Sequence, residues 1–254
     1  MTALPTAKTI RADLRASIGF YTLIPVGRTA EPADFALAQW AAPIAGLVVA
    51  CAGGAVFALV HALGVTPLLA ATLALTTTIA ITGCLHEDGL ADVADGFGGG
   101  ATMARKLEIM KDSRIGTYGV LALLSAFTIR LAALAALATP IAVAEALVPA
   151  HVASRAILPA FMSALPPARR TGLSAGIGPL PTISVRIAVG LGALGLLVSG
   201  FWTTVLGCLS LAIWFAAMRW LARTQINGQT GDVLGALQQG AEAIVLVISA
   251  TTLT

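Results

Sequence analysis

TYGVLALLSAFTIRLAALAALA, from Thr117 to Ala138, decides the fold. Arg130 is its one charged residue, and the run matches the roughly 20 apolar residues that an α-helix needs to cross about 30 Å of hydrocarbon. Working outward by the same criterion, further spans are expected at Trp40–Leu63, Pro67–Leu85, Pro140–Leu165, Ile187–Gly200, Phe201–Met218 and Val233–Leu253. The fifth span in chain order is short, and only the neighbourhood of Gly200 divides it from the sixth, so the count is seven with six as the alternative. Composition agrees. Of 254 residues, 57% are hydrophobic and 11% charged, where a water-soluble domain carries about a quarter charged. The expected fold is therefore all-α, a polytopic integral membrane helical bundle. It forms a single embedded domain over residues 1–254, with no internal repeat and with Gly and Ala letting the helices approach closely.

Charge sets an expected orientation. Lys8, Arg11, Arg15 and Arg28 precede the first span, and a seven-span path brings the loop from His86 to Gly116 to their side together with Arg169, Arg170, Arg186, Arg219 and Arg223. The opposite connections, near Gly64–Thr66, Thr139 and Gly200, hold no Lys or Arg. Basic short loops stay in the cytoplasm, so the polar motifs are expected on the cytoplasmic side and the C-terminus outside. The net charge of +3 does not indicate nucleic acid, because the cations lie in small clusters between apolar runs rather than along one stripe. Cys51, Cys84 and Cys208 stand singly, without a CxxC pair, and read as reduced structural thiols. The run Ala16–Val26 is interrupted by Pro25 and lacks a small-residue cleavage pattern, so it does not read as a cleaved signal.

The chemistry concentrates in His86–Gly100, HEDGLADVADGFGGG, which holds four carboxylates in a chain with twelve. On a helix, offsets of four and three put Asp88, Asp92 and Asp95 on one face, with Glu87 pointing elsewhere. Stacked like charges call for a cation, and Mg²⁺ takes carboxylate oxygens and shares itself with substrate phosphates. A solvated helix start would explain Glu87 and Asp88, but not Asp92 and Asp95 among small and apolar neighbours. Gly98–Gly100 reads as a turn, since no Gly-Lys-Ser/Thr follows. Downstream, Arg105, Lys106, Glu108, Lys111, Asp112, Ser113 and Arg114 form a polar stretch whose basic side chains suit phosphate oxygens, although Arg105 and Lys106 also fit a topology signal at the lipid headgroups.

Gly83–Gly96, GCLHEDGLADVADG, resembles the HxDGLxDxxDG signature of the adenosylcobinamide-GDP ribazoletransferase family, the cobalamin synthases. Leu107–Ala122, LEIMKDSRIGTYGVLA, resembles that family's next block. The likeness continues through FYTLIPV (Phe20–Val26), HVASR (His151–Arg155) and GQTGDVLGALQ (Gly228–Gln238), and so covers nearly the whole chain. It implies a Mg²⁺-dependent phosphotransferase of the bacterial cytoplasmic (inner) membrane. Such an enzyme moves the adenosylcobinamide phosphate group from adenosylcobinamide-GDP to α-ribazole or its 5′-phosphate, releasing GMP. Carried over by position, Asp88, Asp92 and Asp95 would hold the metal, and Asp112 and Arg114 would complete the catalytic set. His86, Ser113, Arg105 and Lys111 would contact substrate. Glu87 departs from the pattern and is left outside the metal shell.

Other polar residues stand out by their place. Arg130 and Arg155 lie within spans, where a cation is costly unless paired or wet, and His151, Ser154 and Arg155 share one helical face. Asn227, Thr230 and Asp232 precede the last span as candidate nucleotide contacts, with helix capping by Asp232 the structural alternative. His61 reads as structural. The first block is also similar to the aspartate motif of CDP-alcohol phosphotransferases, with different spacing, and the second block argues against that reading. A cation transporter would favour aspartates at the bilayer midplane and internal repeats, and neither is seen. Expected partners are the small-molecule substrates and membrane lipids, without nucleic acid; a homo-oligomer is left open.

Overall fold

Proline starts three of the long helices, where its missing N–H costs no intrahelical bond: α3 (Ala42–Ala62), α4 (Pro67–Ile81) and α8 (Pro140–Ala164) each carry one in the first turn. The structure is a computed structural model that describes residues 7–27, 32–169, 172 and 176–253. Arg28 and Arg170, invoked above for orientation, lie outside the described residues. Two shorter helices, α1 (Ala7–Tyr21) and α2 (Pro32–Ala38), lead in. After α4 come α5 (Leu85–Gly99), α6 (Met103–Ile109) and α7 (Thr117–Leu137). Following α8 are α9 (Thr182–Leu196), α10 (Gly200–Ile226) and α11 (Gly231–Thr252). Among the described residues there is no strand, only an isolated bridge between Pro167 and Gln229.

Five helical runs are long and apolar enough to cross a membrane, and a sixth crossing is available if α4 and α5 act as one broken span. The longest run covers Thr182–Ile226, 45 residues, which would extend about 67 Å if straight, twice a bilayer core. Gly200 breaks it at φ +88, a left-handed value that a side chain would strain. Val189 of α9 and Phe215 of α10 then line one pocket beside α8. The run folds back on itself, but its first leg, α9, has only 15 residues, so among the described residues five crossings stand, or six with the α4–α5 pair, which is the alternative count read from sequence.

The second expected span, Pro67–Leu85, is corrected. Helix α4 stops at Ile81. Gly83 and Cys84 take left-handed φ values of 61 and 58, and α5 leaves at 87° to α4. At 15 residues, α4 is about 22 Å long, too short to cross alone. The expected turn at Gly98–Gly100 is also shifted, because Gly98 and Gly99 close the last turn of α5. A Cβ on Gly98 would lie 2.8 Å from the Tyr118 ring, so that helix end needs a residue without a side chain.

Helix α8 forms the centre, packed against α3, α9 and α11. Its Pro149 cannot donate to the carbonyl of Glu145 four residues back, and that carbonyl accepts the Ser199 hydroxyl instead. Around the outside, Leu121, Ile213, Phe201, Trp202 and Trp220 are exposed. Such a surface would aggregate in water and is the one lipid covers. Small residues bring the site together where α5 crosses α11: a Cβ on Gly89 would lie 2.8 Å from the carbonyl oxygen of Asp232. Leu or Val there would push α5, with its aspartates, away from α11.

Candidate active site

Both sequence blocks meet at one cavity of about 570 Å³. Helix α5 supplies Glu87, Asp88 and Asp92, the loop from Met110 to Gly116 supplies Lys111, Asp112, Ser113 and Arg114, and α7 supplies Arg130. Asp88 is exposed to this space and Asp92 partly so. Neither carboxylate has a hydrogen-bonding or ion-pair partner among the described residues. Asp92 feels Asp232, Asp88 and Asp95 as like charges and Arg169 as the one opposing charge.

Asp95, the third aspartate, is placed differently. It is buried, and its two carboxylate oxygens accept the backbone N–H groups of Gly116 at 2.7 Å and Gly119 at 2.9 Å. The first N–H groups of a helix have no partner of their own, and Asp95 satisfies two of them at the start of α7. It lies about two turns along α5 from Asp88, at the level where α5 meets the beginning of α7, and it does not line the cavity. No group of three or more His, Cys, Asp or Glu side chains converges as a metal cluster among the described residues.

Opposite the aspartates, Arg114 forks onto Asp112, its Nε at 3.0 Å from Oδ1 and its Nη2 at 2.6 Å from Oδ2. The Arg114 side-chain and backbone donors hold the Asp112 carboxyl down at about 2. Lys111 and Ser113 are exposed on the same loop. Arg105 is not brought in: it is exposed and pairs with Glu108 at 2.8 Å on α6. Lys106 instead bonds Gln225 of α10.

Below the cavity lies a buried ionic network that the sequence reading only partly anticipated. Arg130 reaches Glu242 at 2.9 Å and Glu87 at 3.3 Å. His151 sits 3.1 Å from Glu242, and Arg155 3.1 Å from His151. Gln238 joins Glu242 at 2.6 Å and Ser154 at 3.0 Å, while Gln239 donates to Glu87 at 3.0 Å. Two arginines face two glutamates, so these four ions balance, the condition for keeping ions out of water. His151, Ser154 and Arg155 stand together on α8, Arg130 of α7 joins them through Glu242, which was not foreseen, and His151, Ser154 and Arg155 do not line the acidic cavity. Glu242, Gln238 and Gln239 were missed. Glu242 is a lone carboxylate in an apolar span, the signal that singled out Arg130.

The C-terminal candidates separate. Asn227 is the left-handed C-cap of α10, at φ 55, and is exposed. Thr230, not Asp232, is the N-cap of α11, its hydroxyl accepting from Val233 N. Asp232 is left for Arg169, 3.3 Å away, a residue that was expected only as a topology signal. Together with His86, Asp232 lines a smaller cavity that Asp88 also borders. Cys51, Cys84 and Cys208 are all free and exposed.

The family described as cobalamin-5-phosphate synthase matches residues 13–250. A protein of Bradyrhizobium diazoefficiens named adenosylcobinamide-GDP ribazoletransferase is 53% identical over 97% of this chain and 97% of its own length. Relatives of the same name from Mesorhizobium japonicum and Azorhizobium caulinodans are 46% and 43% identical, covering 95% and 94% of this chain and 94% and 95% of theirs. No solved structure matches.

Proposed function

The chain belongs to the cobalamin-5-phosphate synthase family, and from that premise we propose that it transfers the adenosylcobinamide phosphate group from adenosylcobinamide-GDP to a ribose hydroxyl of α-ribazole or α-ribazole 5′-phosphate. The observation that carries this reading is the meeting of unpartnered Asp88 and Asp92 with Lys111 and Arg114 around one cavity. The hydroxyl oxygen bonds to the phosphorus that carries the cobinamide, the bond from that phosphorus to the GMP oxygen breaks, and GMP leaves with the electron pair. The hydroxyl proton is released to solvent. Phosphoryl transfer of this kind asks the protein mainly to position the groups and neutralise charge.

The donor set fits Mg²⁺. Asp88 and Asp92 are hard oxygen donors that face open space with no cation of the protein bonded to them, and Mg²⁺ is commonly held by one or two carboxylates, with substrate phosphates and water completing its shell. When bound, it would neutralise the diphosphate charge. Asp95 orients the start of α7 and so fixes the loop that carries Lys111 and Arg114. Lys111 supplies a point charge and Arg114, aligned by Asp112, a directed donor to phosphate oxygens. The glutamates beneath hold Arg130 at the cavity floor. The site faces the cytoplasm of an inner membrane, a placement supported by the one-sided Lys and Arg. Purified protein given adenosylcobinamide-GDP, α-ribazole and Mg²⁺ is expected to release GMP in step with cobalamin formation; GMP release that ignores α-ribazole would mean hydrolysis and would refute transfer.

A further inference from the structure

A second cavity, of about 160 Å³, lies among α1, α5, α8 and α11, and Asp88 borders both this space and the acidic cavity. Its walls are mostly apolar, with Phe20, Leu158 and Leu234 among them. Tyr21 and His86 also line it, their rings stacked at 6.0 Å between centroids and 11° between planes. His86 is 3% exposed, makes no hydrogen bond to a described residue, and keeps its Nε2 buried without a partner. A buried imidazole left unsatisfied costs free energy that a ligand can recover.

We propose that this cavity receives the flat aromatic base of the acceptor nucleoside, an assignment that rests on the transferase reading above. The space suits one fused two-ring heterocycle, with the attached ribose lying toward Asp88 and the acidic cavity. The polarity of the wall discriminates among bases. Guanine presents an exocyclic amine, a ring N–H and a carbonyl along one edge, more polar atoms than His86 alone can answer, and the two carboxylates on the wall are already engaged, Asp232 by Arg169 and Asp88 by the metal of the transferase reading. A benzimidazole joined to ribose through one ring nitrogen keeps a single polar atom, the other ring nitrogen, which only accepts. Neutral imidazole donates from one nitrogen, so His86 supplies the one donor that such a base requires. The pattern is that of small-molecule pockets generally, apolar walls with a few placed polar groups. Nucleophile and leaving group must also approach phosphorus from opposite sides, and a base seated in this separate cavity leaves the acidic cavity to the diphosphate and guanosine.

The test uses full-length protein in detergent, two acceptors and two variants. Leu234→Phe narrows the cavity, and His86→Phe keeps a ring against Tyr21 but removes the donor. Acceptors are α-ribazole and its analogue lacking the ring methyls; release of GMP and equilibrium binding of each acceptor are measured. For Leu234→Phe, the kcat/KM ratio of α-ribazole to the smaller analogue is expected to fall about tenfold or more, the scale on which pockets sense a methyl-sized group, with the KM for adenosylcobinamide-GDP unchanged. His86→Phe is expected to weaken binding of both acceptors about tenfold or more while leaving the donor KM alone. Because the ratio is taken on one preparation, a partly unfolded sample does not disturb it. A wild-type acceptor ratio in Leu234→Phe, or a rise in donor KM with unaltered acceptor binding, overturns the assignment. Wild-type protein that binds α-ribazole, loses that binding in both variants, and yet releases no GMP would retain the site and sink the transferase reading instead.

Discussion

Asp95→Asn separates a helix cap from a metal ligand in a single substitution. The carboxylate accepts Gly116 N–H at 2.7 Å and Gly119 N–H at 2.9 Å, the second in buried surroundings. An amide of the same shape keeps one acceptor oxygen and turns an NH₂ toward the other donor. One buried N–H then loses its partner, at about 1–3 kcal/mol, and the negative charge at the start of α7 disappears, at about 0.3–1 kcal/mol with up to about 2 where the site is partly buried. Together these predict a loss of about 2–4 kcal/mol, measured by denaturant unfolding in mixed micelles. Turnover should also fall, since the loop bearing Lys111 and Arg114 begins at the α7 terminus that Asp95 holds. The Mg²⁺ concentration for half-maximal activity should stay within about twofold of wild type. Asp92→Asn on the same assays should do the reverse, with stability unchanged or slightly higher once like charges are relieved, and turnover collapsing. Normal stability of Asp95→Asn combined with a large rise in the Mg²⁺ requirement would refute the capping argument and return Asp95 to the metal shell.

Glu242→Leu strips the counter-charge from Arg130 and the carboxylate beside His151 at once and should destabilise by about 3–5 kcal/mol; a loss below about 1 kcal/mol on unfolding in micelles would show that water already reaches these groups. Chelation by EDTA should abolish GMP release and Mg²⁺ or Mn²⁺ should restore it, so turnover that persists after complete chelation removes the metal from the mechanism. The Asp112 carboxyl is held at about 2, below its ordinary 3.9, so its contribution to the loop is fully present above about pH 4 and is lost only as pH falls toward 2. The acid limb of kcat/KM between pH 5 and 7 should therefore be the same in Asp112→Asn as in wild type, and a shifted limb would show that Asp112 titrates in that window. Reporters fused after Thr254 should read outside the cytoplasm and reporters inserted near Thr102 inside it; a cytoplasmic C-terminus would contradict seven crossings.

Run length determined most of the membrane-spanning helices, though not the break at Gly83 and Cys84 that cuts Pro67–Leu85 short, because in hydrocarbon the backbone must bond to itself and about twenty apolar residues are needed to do so across the layer. The resemblance of both blocks to one family implied that the aspartates and the Lys111–Arg114 loop serve one site, and the packed helices bring them to one cavity. Only the tertiary structure decided which carboxylate does what. Helical periodicity places Asp88, Asp92 and Asp95 on one face, but it cannot know that α7 presents unpaired N–H groups to the last of them. Sequence likewise offers Asp232 as the cap of the last helix, but Thr230 takes that place and Arg169, arriving from beyond α8, takes the aspartate. Glu242 and Arg130 lie far apart in sequence and find each other across two helices. A periodicity reports the direction of a side chain on its own element, whereas the partner that fixes its role comes from another element, and that meeting exists only once the helices are packed.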